Sequence, residues 1–273
     1  MISYLNYFIK VPKKLIMTWI LAPAIYFTIV PLAFSNQSFE NLIYTKRDGL
    51  SSLAENDTML NFLGISDWEN VFTLEGIITT YLMNLFVPLL IAIATIVLLN
   101  KMGAKSEEEG TFEFVASLPL NRKQIYYIHA LVAVIFGIII SQIWFHIMYI
   151  PMAFMNLSQN LEYLPMMKAG LQSSLGGVSF GVLGYSIAMF TGKSGNAWNF
   201  GMGLLAVEWL SNMLSGSNEI FRWIHENISS FGAYGNPYQN GLNLGDITLV
   251  ISKIFLFLVI GYIGYTKRSL NLK

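Results

Sequence analysis

Stretches of about 20 apolar residues dominate this chain, and each has the helical length that crosses a hydrocarbon layer roughly 30 Å thick. Six of them can be drawn, at 15–34, 77–99, 128–150, 171–191, 197–215 and 247–265. Lipid offers no hydrogen bonds to a bare backbone, so such stretches must be helices. Composition agrees: 54% of the 273 residues are hydrophobic and only 12% charged. A soluble domain carries roughly 25% charged residues, so this chain has too few to clothe a water-facing surface. The expected fold is all-α: a single polytopic membrane domain over 1–273 with six transmembrane helices. The first stretch is too long for a cleavable leader, and Pro31-Leu32-Ala33-Phe34 is a poor cleavage site.

Two function classes fall away at once. Net charge is +0, which leaves no basic face for nucleic-acid phosphates. There is no cysteine, which removes thiol catalysis, Cys-ligated metal and disulfides and leaves the redox compartment open.

Lysine and arginine in short loops orient the spans. With both termini cytoplasmic, the inner side holds Lys10, Lys13, Lys14, Lys101, Lys105, Arg122, Lys123, Lys193, Lys267, Arg268 and Lys273. The outer side holds Lys46, Arg47, Lys168, Arg222 and Lys253, beside the acidic Asp48, Glu55, Asp57, Asp67, Glu69 and Glu75. That distribution predicts a multi-pass protein of the cell membrane, with Trp19, Trp144, Tyr149, Tyr262 and Tyr265 as interfacial anchors. Two long outer segments remain, 35–76 and 216–246. Within the second, Ile220, Phe221, Ile224 and Ile228 recur at helical spacing, so 218–229 reads as an amphipathic or re-entrant outer helix before span six. A solvated helix packed on the bundle fits the same spacing.

The segment 101–127, between spans two and three, is the most informative. Ser106 and Glu109 have capping-box spacing, with Glu107 and Glu108 in the first turn. A short helix is expected from there to about Leu118, where Pro119 stops it. Asn121 and Gln124 offer a second cap leading into span three. Glu109, Glu113 and Ser117 share one helical stripe, and Phe112, Val115 and Leu118 share another. An acidic stripe beside an apolar one suits a cytoplasmic partner, although a charge run of this kind is more often a plain solvated face.

Glu109-Gly110-Thr111-Phe112-Glu113, followed by Ser117-Leu118-Pro119-Leu120-Asn121-Arg122-Lys123, resembles the signature after the second span of ABC-2 type transporter permeases. The layout is similar too: six spans, inner termini, a large outer segment before span six, and a basic tail at Thr266-Lys267-Arg268. His129 and Ser269 depart from the family pattern, which often has lysine and an acidic residue there. The resemblance implies a permease subunit of an ATP-binding-cassette exporter, paired with a second copy or a paralogous permease. Two cytoplasmic ATPase subunits would bind ATP and Mg, and this chain would carry no cofactor and hydrolyse nothing. By the same resemblance 101–127 holds a short coupling helix, with Glu107, Glu108, Glu109, Gly110, Thr111, Phe112, Glu113, Ser117, Pro119 and Arg122 as the ATPase-coupling residues.

Other motifs lead elsewhere or nowhere. Thr191-Gly192-Lys193-Ser194-Gly195 imitates a phosphate-binding loop, but that motif needs glycine at 187, which is Ile187. Glu107-Glu108-Glu109 lacks the following arginine of an intramembrane metalloprotease. His129, His146 and His225 lack metal spacing, and the first two read as interface-level polar contacts. Glu208 falls near the middle of the fifth stretch, where a carboxyl is costly and must face protein or a water-filled path. It is a candidate for the translocation path, or a buried structural hydrogen bond. Gly177 and Gly181 form a small-residue face for close packing, intrasubunit by preference. Pro23, Pro31 and Pro88 predict kinks. A scaffold or sensor subunit shares this architecture, and an intramembrane enzyme lacks its catalytic set.

Overall fold

The computed structural model describes residues 13–36, 72–157, 161–234 and 243–269, with isolated positions at 41, 43, 45, 46, 238 and 241. Most of the expected outer loop at 35–76, including Asp48 to Glu69, lies outside the described residues, as do both chain ends. The described residues form helices and turns without a strand. The long helices are α1 (Lys13–Phe34), α2 (Leu74–Glu108), α4 (Arg122–Phe154), α5 (Tyr163–Thr191), α6 (Gly195–Leu214) and α9 (Leu244–Lys267). Short helices α3 (Phe112–Ala116), α7 (Glu219–Asn227) and α8 (Ser230–Tyr234) fill the connections. Five of the six long helices are long and apolar enough to cross a membrane. The exception, α6, has the length, but Asn196, Asn199, Glu208 and Asn212 interrupt its apolar run.

Helix starts follow their caps. The Thr73 hydroxyl accepts from the Gly76 amide at 3.0 Å to open α2. Asn121 and Gln124 make the full reciprocal box at the start of α4, at 2.8 and 2.9 Å. Within α2 the turns from Ile77 to Phe86 widen to π geometry. Pro88, five residues beyond Met83, has no N–H for the Met83 carbonyl in that wider register. The Ser173 hydroxyl of α5 donates to it instead, at 2.9 Å. The proline break is thus stitched to a neighbouring helix.

α5 is the central post and packs on α2, α4, α6 and α9. Its glycines explain the closeness. A methyl on Gly177 would stand 2.7 Å from the Pro88 carbonyl oxygen, and one on Gly181 would run into the Thr95 side chain. Both face α2 of the same chain, so this small-residue face serves intrasubunit packing, as expected. α1 lies outside and packs mainly on α4, where the Trp144 indole donates to the Ile20 carbonyl at 3.3 Å and meets the Phe27 ring. Much of α1 and α9 is turned outward, with Leu21, Ile25, Ile29, Phe255 and Ile260 exposed, as lipid contact requires.

Two sequence expectations need correction. α5 begins at Tyr163 rather than 171, so Lys168 lies inside a helix and not in an outer loop, and α9 begins at Leu244 rather than 247. A lysine ends an apolar window without ending a helix, since its long apolar stem packs while its charged head reaches polar surroundings. His129 is buried within the bundle, where it makes a polar contact: its Nδ1 lies 3.2 Å from the Tyr185 hydroxyl.

Candidate functional site

Two polar constellations stand at opposite ends of the bundle. The first surrounds residues 104–122. The expected helix from Ser106 to Leu118 is two pieces: Ala104–Glu108 closes α2, and α3 follows after Gly110. Gly110 takes φ +75°, a left-handed conformation that turns the chain. Ser106 is therefore no N-cap. Its hydroxyl donates back to the Met102 and Gly103 carbonyls, at 3.0 and 2.7 Å, and Thr111 donates to the Ser106 carbonyl at 3.1 Å.

The glutamates divide by role. Glu107 is buried and takes a two-pronged pair from Arg268, at 2.6 Å to Oε1 and 2.5 Å to Oε2. Arg268 also donates through Nε to the Met189 carbonyl at the foot of α5, 2.7 Å away. Arg122 donates to the Arg268 carbonyl at 2.9 Å. Glu108 accepts from the Ser194 amide at 2.7 Å and the Ser194 hydroxyl at 2.5 Å. The phosphate-loop imitation thus holds a carboxylate of the same chain at the start of α6, where helix amides favour an anion. Gly192 makes the preceding turn at φ +71°.

Glu109 and Glu113 are exposed, as are Ser117 and Pro119, and Glu109 pairs loosely with Lys105 at 3.9 Å. The apolar stripe is not offered outward. Phe112 and Val115 are buried in the core and Leu118 packs against it. Of the predicted coupling residues, Glu107 and Phe112 are thus internal. Glu109, Glu113, Ser117 and Pro119 are left to form an outward face.

The second constellation centres on Glu208, which is only 1% exposed. Lys253 of α9 ion-pairs with its Oε1, and the Ser230 amide donates to its Oε2 at 2.7 Å. Lys253 further donates to the Ser230 hydroxyl at 2.9 Å and the Ile228 carbonyl at 3.2 Å. Ser230 and Ile228 belong to the α7–α8 hairpin, whose Phe231 inserts beside Phe180 of α5 with ring centroids 6.0 Å apart. Ile220 and Trp223 of α7 stay exposed. Beneath the hairpin a small cavity is lined by Asn84, Ser173, Ser230 and Phe231. Glu208 was legible in the sequence as a costly carboxyl. Its partners Lys253 and Ser230 were missed, because they arrive from segments 45 and 22 residues away.

Among the described residues no three acidic or histidine groups gather as a metal set would. The fold and these two sites define an all-helical, membrane-embedded chain with an ion pair at either end of its helix bundle. The chain matches no described protein family, no curated protein and no solved structure.

Proposed function

We propose that this chain is the permease subunit of an ATP-binding-cassette exporter of the cell membrane, driven by a separate cytoplasmic ATPase. In this reading α6 is the remaining span, giving six with both termini cytoplasmic, and the 104–122 end faces the cytoplasm. The observation that carries the reading is the division of labour in 104–122. Glu107 and Glu108 tie the segment to Arg268 beside α9 and Ser194 beside α6, and Phe112 is buried in the core, while Glu109, Glu113, Ser117 and Pro119 stand outward. A short, rigidly held, outward acidic face suits an ATPase that must push on the membrane helices without detaching. The motif at Glu109–Glu113 and the Leu118-Pro119 turn support the same reading by resemblance.

Two ATPase copies, holding ATP and Mg, would serve two permease chains. Changes in their separation would bias inward- and outward-open states through differential contact with each. Purification of the full chain from its own membranes in mild detergent tests this. A co-purifying polypeptide with a complete phosphate-binding loop is expected, its retention falling at least tenfold with Glu113→Arg and holding with Glu226→Arg at the other end. Absence of such a polypeptide, or equal loss in both variants, rejects the proposal.

A further inference from the structure

The two constellations share their helices. Adjacent Glu107 and Glu108 grip the feet of two different helices: Glu107 holds Arg268 just past α9, and Glu108 holds Ser194, which caps α6. At the far end the same two helices meet again, through Lys253 of α9 and Glu208 of α6. The struts are matched in length. Arg268 lies 15 residues from Lys253 and Ser194 lies 14 from Glu208, which is about 22 Å and about 21 Å of helix. The hairpin residue Ser230 bonds both members of the far pair.

We propose that these contacts form a closed ring around α5 that makes the α7–α8 hairpin answer to the position of residues 104–108. Helices are stiff along their length, so rotation or sliding of 104–108 moves the feet of α6 and α9 relative to one another. The far pair then cannot keep its geometry unless the hairpin moves with it. Separating the far pair would leave the buried Glu208 carboxylate without its counter-charge, so the contact resists displacement and the hairpin is drawn along with it. Arg268 is the hub of the near side, tied at once to Glu107, to the Met189 carbonyl of α5 and to Arg122 of α4. Lys253 is the hub of the far side, tied to α6 and to two hairpin residues. The ring is a property of this chain alone and operates whether or not an ATPase supplies the push.

The chain has no cysteine, so one introduced thiol reports without background. Asn84→Cys places it under the hairpin, beside Ser230 and Phe231. Its reaction rate with a membrane-impermeant thiol reagent is measured on the full chain in nanodiscs. Lys253→Ala should raise that rate at least tenfold by freeing the hairpin directly. Glu107→Gln and Arg268→Ala, at the opposite end, should each raise it at least threefold. The swap Glu107→Arg with Arg268→Glu should return it toward the parent rate. A second reporter, Ala133→Cys on the buried face of α4, should stay unreactive in every variant. Parental rates in both remote variants would show that the ends act independently and overturn the ring. So would an unchanged rate in Lys253→Ala, or a matching rise at Ala133→Cys, which would mean general loosening.

Discussion

Lys253 and Glu208 illustrate how much one charge depends on its partner. Removing Lys253 leaves the buried Glu208 without its counter-charge, a loss of about 3–5 kcal/mol. Lys253→Met should therefore lower thermal stability in detergent sharply. The pair Glu208→Gln with Lys253→Met should recover most of that loss, since the side-chain carbonyl introduced at 208 can still accept from the Ser230 amide. If the double variant is no more stable than Lys253→Met, the charges are not coupled. Gly232 makes a second, sharper demand. A methyl there would overlap the His225 carbonyl oxygen, so Gly232→Ala must shift the hairpin, at about 1–3 kcal/mol of overpacking. Limited proteolysis between α7 and α8 should speed up in that variant and stay at the parent rate with Gly203→Ala, a site in α6 with open space around it. His225 belongs to the same hairpin, and burial holds its imidazole pKa below the usual value. A depressed histidine favours the folded hairpin above its unfolded pKa of about 6.5, and that contribution is lost as pH falls from there through the lower folded value. Protease protection of the hairpin should weaken on acidification, and His225→Asn should remove that step.

The contact of α5 with α2 is set by glycines. Gly181→Val should force the helices apart and destabilise the bundle by about 1–3 kcal/mol. Gly203→Ala, with nothing nearby to strike, should instead be neutral or stabilising by up to about 1 kcal/mol. Equal unfolding temperatures in the two variants would contradict the packing. Helix identity was largely legible beforehand, because long apolar runs, the Asn121–Gln124 cap and the Gly177–Gly181 face each carry a local physical signal. The interrupted helix at 104–116 was not. Ser106 and Glu109 had the spacing of a cap, but the α2 helix continues through Gly103 and supplies Ser106 with carbonyls at Met102 and Gly103. Tertiary continuity overrode a local rule. The partners of Glu107 and Glu208 were equally hidden, since nothing in sequence pairs position 107 with 268 or 208 with 253.

At the scale of the whole molecule, a central post is ringed by helices that are tied together at both ends by buried ion pairs. Membrane residence follows from five apolar helices among the described residues and their outward-facing aliphatic side chains, whereas the proposed role rests on the outward face of 109–119. The most direct test of the proposal is the affinity of any ATPase that co-purifies with the full chain, measured in nanodiscs with and without Glu113→Arg. Saturable binding weakened at least tenfold by that substitution, about 1.4 kcal/mol or more, is the expected result. Equal affinity for both chains, or no binding by any ATPase, would contradict the account.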